Sequence, residues 1–236
     1  MSAASIYSRC IIGSKYIDEI SELTSLGIEC ITVNESPNLE NEINSHADIL
    51  CCRASDNIIF ADNSIAGELS KKIKDYSIIP VNDIKSPYPG DVKLNVAFLG
   101  NNIICNSKYI AKEISDFCNL NNIQIIKTKQ GYTKCNLCVL NEKAVITEDN
   151  GLAYLLKNYQ SDVLKIQPGY VELSEKHYGF IGGASARIAD DTVYFSGNIA
   201  EHPDYDKIIE FLNTYGLKPI FNKNRKLTDF GGLIML

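Results

Sequence analysis

A strand-strand-helix-strand unit that recurs along the chain restricts the fold more than any single residue does. It is clearest from Cys135 to Ile166, CNLCVL-NEK-AVIT-EDNGLAYLLKNYQS-DVLKI. Asn141, Glu142 and Lys143 separate two runs rich in Val, Leu and Ile, which is the pattern of a hairpin. Glu148, Asp149 and Asn150 then supply the acidic and capping side chains that a helix N-terminus favours. Leu152, Leu155 and Leu156 follow at helical spacing, and Asp162 to Ile166 returns to strand alternation.

The same order predicts elements elsewhere. Strands are expected over 6–12 and 28–33, around a helix carrying Ile17, Ile20 and Leu23 that starts near Ser14 and stops at Gly27. A second unit runs from Asp48-Ile49-Leu50-Cys51-Cys52 through Ile58-Ile59-Phe60 and a helix over 65–73 to a strand over 77–81. A third has strands over 94–99 and 103–105, a helix over 108–120 and a strand over 123–127. The last begins at Gly179-Phe180-Ile181-Gly182-Gly183 and returns through 192–195. Pro203, Asp204 and Asp206 open its helix, which carries Ile208, Ile209 and Leu212, and 217–221 forms its strand. The first unit lacks one strand, and the C-terminal DFGGLIML supplies one to spare. With a period of about 41 to 55 residues, the chain reads as a single domain over 1–236. The fold class is α/β, a five-bladed α/β propeller of internal repeats closed by the C-terminal strand. An open doubly wound α/β sheet is the competing architecture.

Charge and cysteine content exclude several partners. A formal net charge of -6 argues against binding along a phosphate backbone. The basic Lys223-Asn224-Arg225-Lys226 is too short to reverse that. No apolar run reaches membrane-spanning length, and MSAASIYSRC has no signal-peptide core. The eight cysteines are therefore expected as reduced thiols in a cytoplasmic protein. No nucleic acid, membrane, cofactor or metal is expected as partner; oligomeric state is left open. A lone CxxC, Cys135 with Cys138, does not make a zinc site.

The C-terminal RKLTDFGGLIML resembles the closing strand of the pentein, or guanidino-group-modifying, fold. In that family an Asp and paired glycines precede a nucleophilic Cys, and Arg225, Asp229, Gly231 and Gly232 match the pattern. The resemblance implies kinship with deiminases, amidinotransferases and dimethylarginine hydrolases, and with ribosome anti-association factors that keep the ring without the chemistry. The nucleophile's place is taken by Leu233, Ile234, Met235 and Leu236. The place of the general acid/base His is taken by Tyr132, Thr133, Lys134 and Cys135. GFIGGASARI resembles a family strand from another unit, and nothing is carried over from it. GYTKCN, HYGFIGGAS and DFGG together look like a separate bacterial branch that lacks the usual C-terminal Cys. The ordinary Cys-His mechanism is not expected.

In such a ring the first strand of each unit lines the axis, and a small-molecule ligand would bind in the axial channel where loops enter those strands. The candidate catalytic residues are Cys135, Lys134 and Asp229; the candidate ligand-binding residues are Asp48, Arg53, Gly182 and Gly183. Cys135 reads as a nucleophile whose thiolate Lys134 favours, or as one more packed cysteine. Asp229 reads as an anchor for a cationic ligand or as a turn carboxylate bonded to backbone N–H groups. Gly182 and Gly183 mark a close approach or a bulge. His202, before Pro203, reads as a helix-entry residue. The chain is thus expected to be a non-standard hydrolase or transferase, or a binding module for a macromolecule.

Overall fold

Hydrophobic alternation and helix caps divide the chain into short elements, and the computed structural model describes residues 7–174 and 177–236. The first segment is β1 (Arg9–Gly13), α1 (Ile17–Ser25) and β2 (Glu29–Val33). The second is α2 (Ala47–Leu50), β3 (Cys51–Arg53), β4 (Ile58–Asp62), α3 (Asn63–Lys72) and β5 (Ser77–Val81). The third is β6 (Ala97–Leu99), β7 (Asn102–Cys105), α4 (Lys112–Leu120) and β8 (Gln124–Lys127). The fourth is α5 (Thr133–Asn136), β9 (Leu137–Val139), β10 (Ala144–Thr147), α6 (Asn150–Asn158) and β11 (Asp162–Lys165). The fifth is β12 (Ser185–Ala189), β13 (Thr192–Phe195), α7 (Tyr205–Thr214) and β14 (Lys218–Phe221), and β15 (Ile234–Met235) ends the chain.

These strands form five separate three-stranded sheets among the described residues. In each of the last four segments, a hairpin pairs the first two strands antiparallel, and the strand after the helix adds in parallel. The first sheet has the order β15-β1-β2, with Cys10 opposite Met235 and Ile11 opposite Ile234. The opening and closing strands of the described residues therefore pair, as the leftover strand predicts. No sheet closes on itself, so the architecture is a mixed α/β arrangement of small sheets. First strands of neighbouring sheets touch: β15 meets β3, and β9 meets both β6 and β12. The predicted opening strand begins at Ile6, which lies outside the described residues.

Helices α1, α3, α6 and α7 each bury one face against their own sheet. Leu152 and Leu156 of α6 and Ile208 and Leu212 of α7 are fully buried; truncating a core Leu of this kind to Ala costs about 2–5 kcal/mol. All four residues of β10 are buried, as expected for a strand flanked by others and covered by a helix. Asp149 caps α6 through the Leu152 N–H at 2.8 Å. Gly27 and Gly216 end α1 and α7 at φ of 86° and 66°, a conformation that suits glycine.

Several boundaries differ from those expected. On α1, Leu23 is buried but Ile17 is 67% exposed, and the helix starts after Tyr16 without a side-chain cap. The helix of the third segment starts at Lys112 rather than Lys108, because the Asn106 side chain accepts the Lys108 N–H in a local turn. Pro203 precedes the N-cap Asp204 instead of entering the first turn. His202 does serve helix entry: its Nε2 donates to the Gln167 carbonyl and its Nδ1 accepts the Asp204 N–H.

Candidate active site

The largest departures from the sequence reading fall where the first strands begin. Asp48 and Cys135, expected as strand residues, sit on the single helical turns α2 and α5, and the run 179–183 is a turn ahead of β12. The reason is that side chains take the backbone groups a strand ladder would use. Asn95 Oδ1 accepts the N–H groups of Lys134 (2.8 Å) and Cys135 (3.2 Å). Asp229 Oδ2 accepts the Phe180 N–H at 2.9 Å, and Glu148 Oε2 accepts the Ile181 N–H at 3.1 Å. Short buried polar residues thus convert the strand entries into tight turns.

These turns bring distant residues together. Cys135 Sγ lies 3.1 Å from Asp48 Oδ2, to which it donates, and 2.9 Å from Asn95 Nδ2, from which it accepts. Asn95 Nδ2 also donates to the Asp48 carbonyl at 3.0 Å. The Asp48 N–H is held by the Gly231 carbonyl at 3.0 Å, which ties this turn to the C-terminal segment. Asp48, Asn95 and Cys135 are all at most 2% exposed.

Lys134 diverges from Cys135 because consecutive helical positions point in different directions. Its ammonium lies 3.4 Å from the Gly182 carbonyl. A Cβ on Gly232 would lie 3.6 Å from that ammonium and 3.7 Å from Asp48 Oδ2, so the two charges flank one glycine. The geometry does not supply the Lys134–Cys135 contact expected from the sequence. Burial, and after it the charges of Asp48 and Asp229, push the Cys135 thiol well up, so at rest it is protonated. Burial, and after it Asp229, raises Asp48 above the ordinary carboxylate range.

Asp229 is engaged by local backbone. Both oxygens accept backbone N–H groups, from Phe180 and from Gly231 (3.0 Å). Gly183 is required beside it, since a Cβ there would come within 2.1 Å of Asp229 Oδ1. At Gly182 a Cβ would come within 2.4 Å of the Lys134 carbonyl. Both glycines mark close approach within a turn, and the register shift of this sheet lies instead between Arg187 and Ala189. His46 Nδ1 is 3.7 Å from Asp229 Oδ1. Burial drives the His46 pKa down to about 3, so this contact joins a neutral imidazole to a carboxylate rather than two charges. Arg53 stands apart at the far end of β3, donating to the carbonyls of Ser55 and Met235 and to Asp56.

A cavity of about 580 Å³ adjoins the cluster. Asp48 and Lys134 line it ahead of the strands; Arg53, Phe98, Val139, Arg187 and Met235 line it farther along them. Asp48 Oδ1 is buried without a hydrogen-bond partner among the described residues. Cys135, bonded to Asp48, is not itself part of the lining. All eight cysteines are free thiols. Among the described residues no group of three or more side chains is arranged to hold a metal ion, and no helix is long and apolar enough to cross a membrane.

Sequence reasoning missed Asn95, His46 and Glu148. Asn95 had a signal: it interrupts the apolar run Leu94 to Leu99 two residues ahead of β6, the spacing at which Cys135 precedes β9 and Gly183 precedes β12. His46 and Glu148 had none, because their burial is created by chain segments far away in sequence.

A family model described as a family of unknown function, DUF6873, matches residues 11–234. No curated protein matches the chain. Among solved structures, SxtG, an amidinotransferase of the saxitoxin biosynthetic pathway from Microseira wollei, aligns with a TM-score of 0.58 and 11% identity over 93% of this chain and 90% of that one. The agmatine deiminase of C. jejuni aligns at 0.56 and 10% identity over 100% and 94%. A dimethylarginine dimethylaminohydrolase bound to 4-chloro-2-hydroxymethylpyridine aligns at 0.54 and 10% identity over 92% and 93%. These are pentein-fold, guanidino-modifying proteins, and at such identities the likeness is one of fold alone.

Proposed function

The chain belongs to the family whose model it matches, DUF6873, and with that as premise we propose that it is a five-bladed α/β propeller binding a small guanidino or amidino compound in its axial channel. The propeller reading is supported by five sheets of one design, by β15 in the first place of the first sheet, and by the contacts between first strands. The channel is the 580 Å³ cavity that these strands line. A cationic ligand is supported by the buried, unpartnered Asp48 Oδ1 at its wall, because a desolvated carboxylate gains most from a charged N–H donor.

The observation that carries a chemical role is the 3.1 Å contact between Cys135 Sγ and Asp48 Oδ2. A carboxylate raised toward neutrality is suited to take the thiol proton and to return it. In the reaction we propose, that proton moves to Asp48 as Sγ bonds the amidine carbon. The C–N bond breaks as the leaving amine takes the proton from Asp48; water or an acceptor amine then gives a proton to Asp48 as it bonds the same carbon, and the C–S bond breaks with that proton returning to Sγ. This is a non-standard hydrolase or transferase in which the nucleophile enters from the fourth segment. Arg53 and Arg187 would bind the ligand's remote end.

Chloroacetamidine, a small electrophilic amidine, tests the proposal. Mass spectrometry is expected to find alkylation at Cys135 ahead of the other seven thiols, and Cys135→Ser to abolish it. Failure to label Cys135 in the folded protein would overturn the chemical role.

A second reading, the non-catalytic binding module, draws on the 2% exposure of Cys135 and on the apolar residues Leu233 to Leu236 where the family carries its nucleophile. It requires that Cys135→Ser leave ligand affinity unchanged and that no guanidino compound be turned over.

A further inference from the structure

Beyond the axial cavity, a second one of about 440 Å³ lies where the fourth and fifth segments meet, lined by Gln130, Asn136, Glu148, Asp149, Tyr178 and Phe180 among others. Glu148 is only 6% exposed. One of its oxygens holds the Ile181 N–H at 3.1 Å. The other, Oε1, is buried and has no hydrogen-bond partner among the described residues. The neighbouring acid is not equivalent: Asp149 Oδ1 caps α6 at Leu152 N, and its Oδ2 accepts from Gln130 Nε2 at 2.9 Å. Glu148 is thus the carboxylate in this wall with accepting capacity to spare.

We propose that this cavity is a second recognition site, separate from the axial one, for an alkylammonium or guanidinium group that donates to Glu148 Oε1 against the rings of Tyr178 and Phe180. Two carboxylates in the lining exclude an anion. A hard divalent cation takes six or more oxygen ligands, and the wall offers one carboxylate oxygen that is not already engaged. A carboxylate beside two aromatic rings instead matches an organic cation, whose N–H groups bond the oxygen while its charge meets the ring faces.

The Phe180 N–H is bonded to Asp229 and the Ile181 N–H to Glu148, so one turn joins the two carboxylates. An occupant that draws on Glu148 therefore acts on the same turn that fixes Asp229. The inference does not depend on the chemistry proposed for Cys135, and failure of amidine labelling there would leave it standing.

Butylammonium chloride, titrated into the full ¹⁵N-labelled chain and followed at the Ile181 amide resonance, tests it. The expected result is a saturable shift that equimolar sodium chloride does not produce. Glu148→Gln keeps an acceptor for the Ile181 N–H and is expected to weaken binding at least tenfold, whereas Asp48→Asn leaves it unchanged within twofold. Tyr178→Ala, at a side chain 70% exposed, is expected to weaken it about threefold; it decides the question if Glu148→Gln does not fold. Absence of saturation, a sodium effect of equal size, unaltered affinity in Glu148→Gln or in Tyr178→Ala, or loss in Asp48→Asn would each overturn the proposal.

Discussion

Two clusters of buried charge lie at different places in this molecule, and they are built on opposite terms. At the seam between α1 and the loop after β14, Arg225 contacts Glu19 directly and Glu22 at 3.3 Å. Glu22 also accepts from Asn222 Nδ2 and from the Tyr194 hydroxyl, each at 2.7 Å. Every carboxylate of that network that is buried meets a donor. At the strand-entry cluster and its neighbour, Asp48 Oδ1 and Glu148 Oε1 are buried with no partner among the described residues. A satisfied network serves the fold, whereas unsatisfied buried acceptors lower stability and are kept where a ligand or a proton is to be received.

The sharpest way to break this contrast is to remove one partner from each cluster. Arg225→Ala strands Glu19, which is 4% exposed, and is expected to cost about 3 kcal/mol in urea-induced unfolding. A loss below about 1 kcal/mol would mean that the seam is not the structural member of the pair. Asp48→Asn, by contrast, removes a desolvated charge and is expected to leave stability equal or raise it by up to about 1 kcal/mol. The same variant should slow chloroacetamidine labelling of Cys135 about tenfold or more, since it removes the group proposed to take the thiol proton.

A smaller effect sharpens the comparison further. Burial raises Glu148 from its ordinary 4.5 to about 7. Its folded-state pKa lies above the unfolded one, so the folded chain binds the proton more tightly. The associated stability is fully present below about pH 4.5 and is lost as pH rises through about 7. Unfolding measured across this window should show wild type losing roughly 1–2 kcal/mol that Glu148→Gln retains. Identical pH profiles for the two would show that Glu148 is not the orphaned acid its surroundings make it.

Legibility in the sequence followed the same division. The outer elements were legible because each obeys a local rule: Asp149 caps the helix it precedes, the short run Ser77–Val81 forms a strand, and Gly216 takes the left-handed conformation that ends a helix. The strand entries were not. Asp48, Cys135 and Gly182 were read as strand because they adjoin apolar runs, yet Asn95, Asp229 and Glu148 capture the amides of Lys134, Cys135, Phe180 and Ile181, and the Gly231 carbonyl takes that of Asp48. Arg53, put with them from its place near a first strand, lies at that strand's far end, where it donates to carbonyls and to Asp56 and lines the same cavity.

The amino-acid order by itself determined the short strands and helices and the spare C-terminal strand that pairs with the opening one, and it put Asp48, Cys135 and Asp229 forward as candidates, because periodicity and turn chemistry act over a few neighbouring residues. Only the tertiary structure decided which of those side chains meet. Cys135 faces Asp48 across 87 positions of chain, and Lys134 beside it turns away. Whether a thiol is protonated or a carboxylate left without a donor depends on burial and on charges brought near by folding, and no local pattern encodes them.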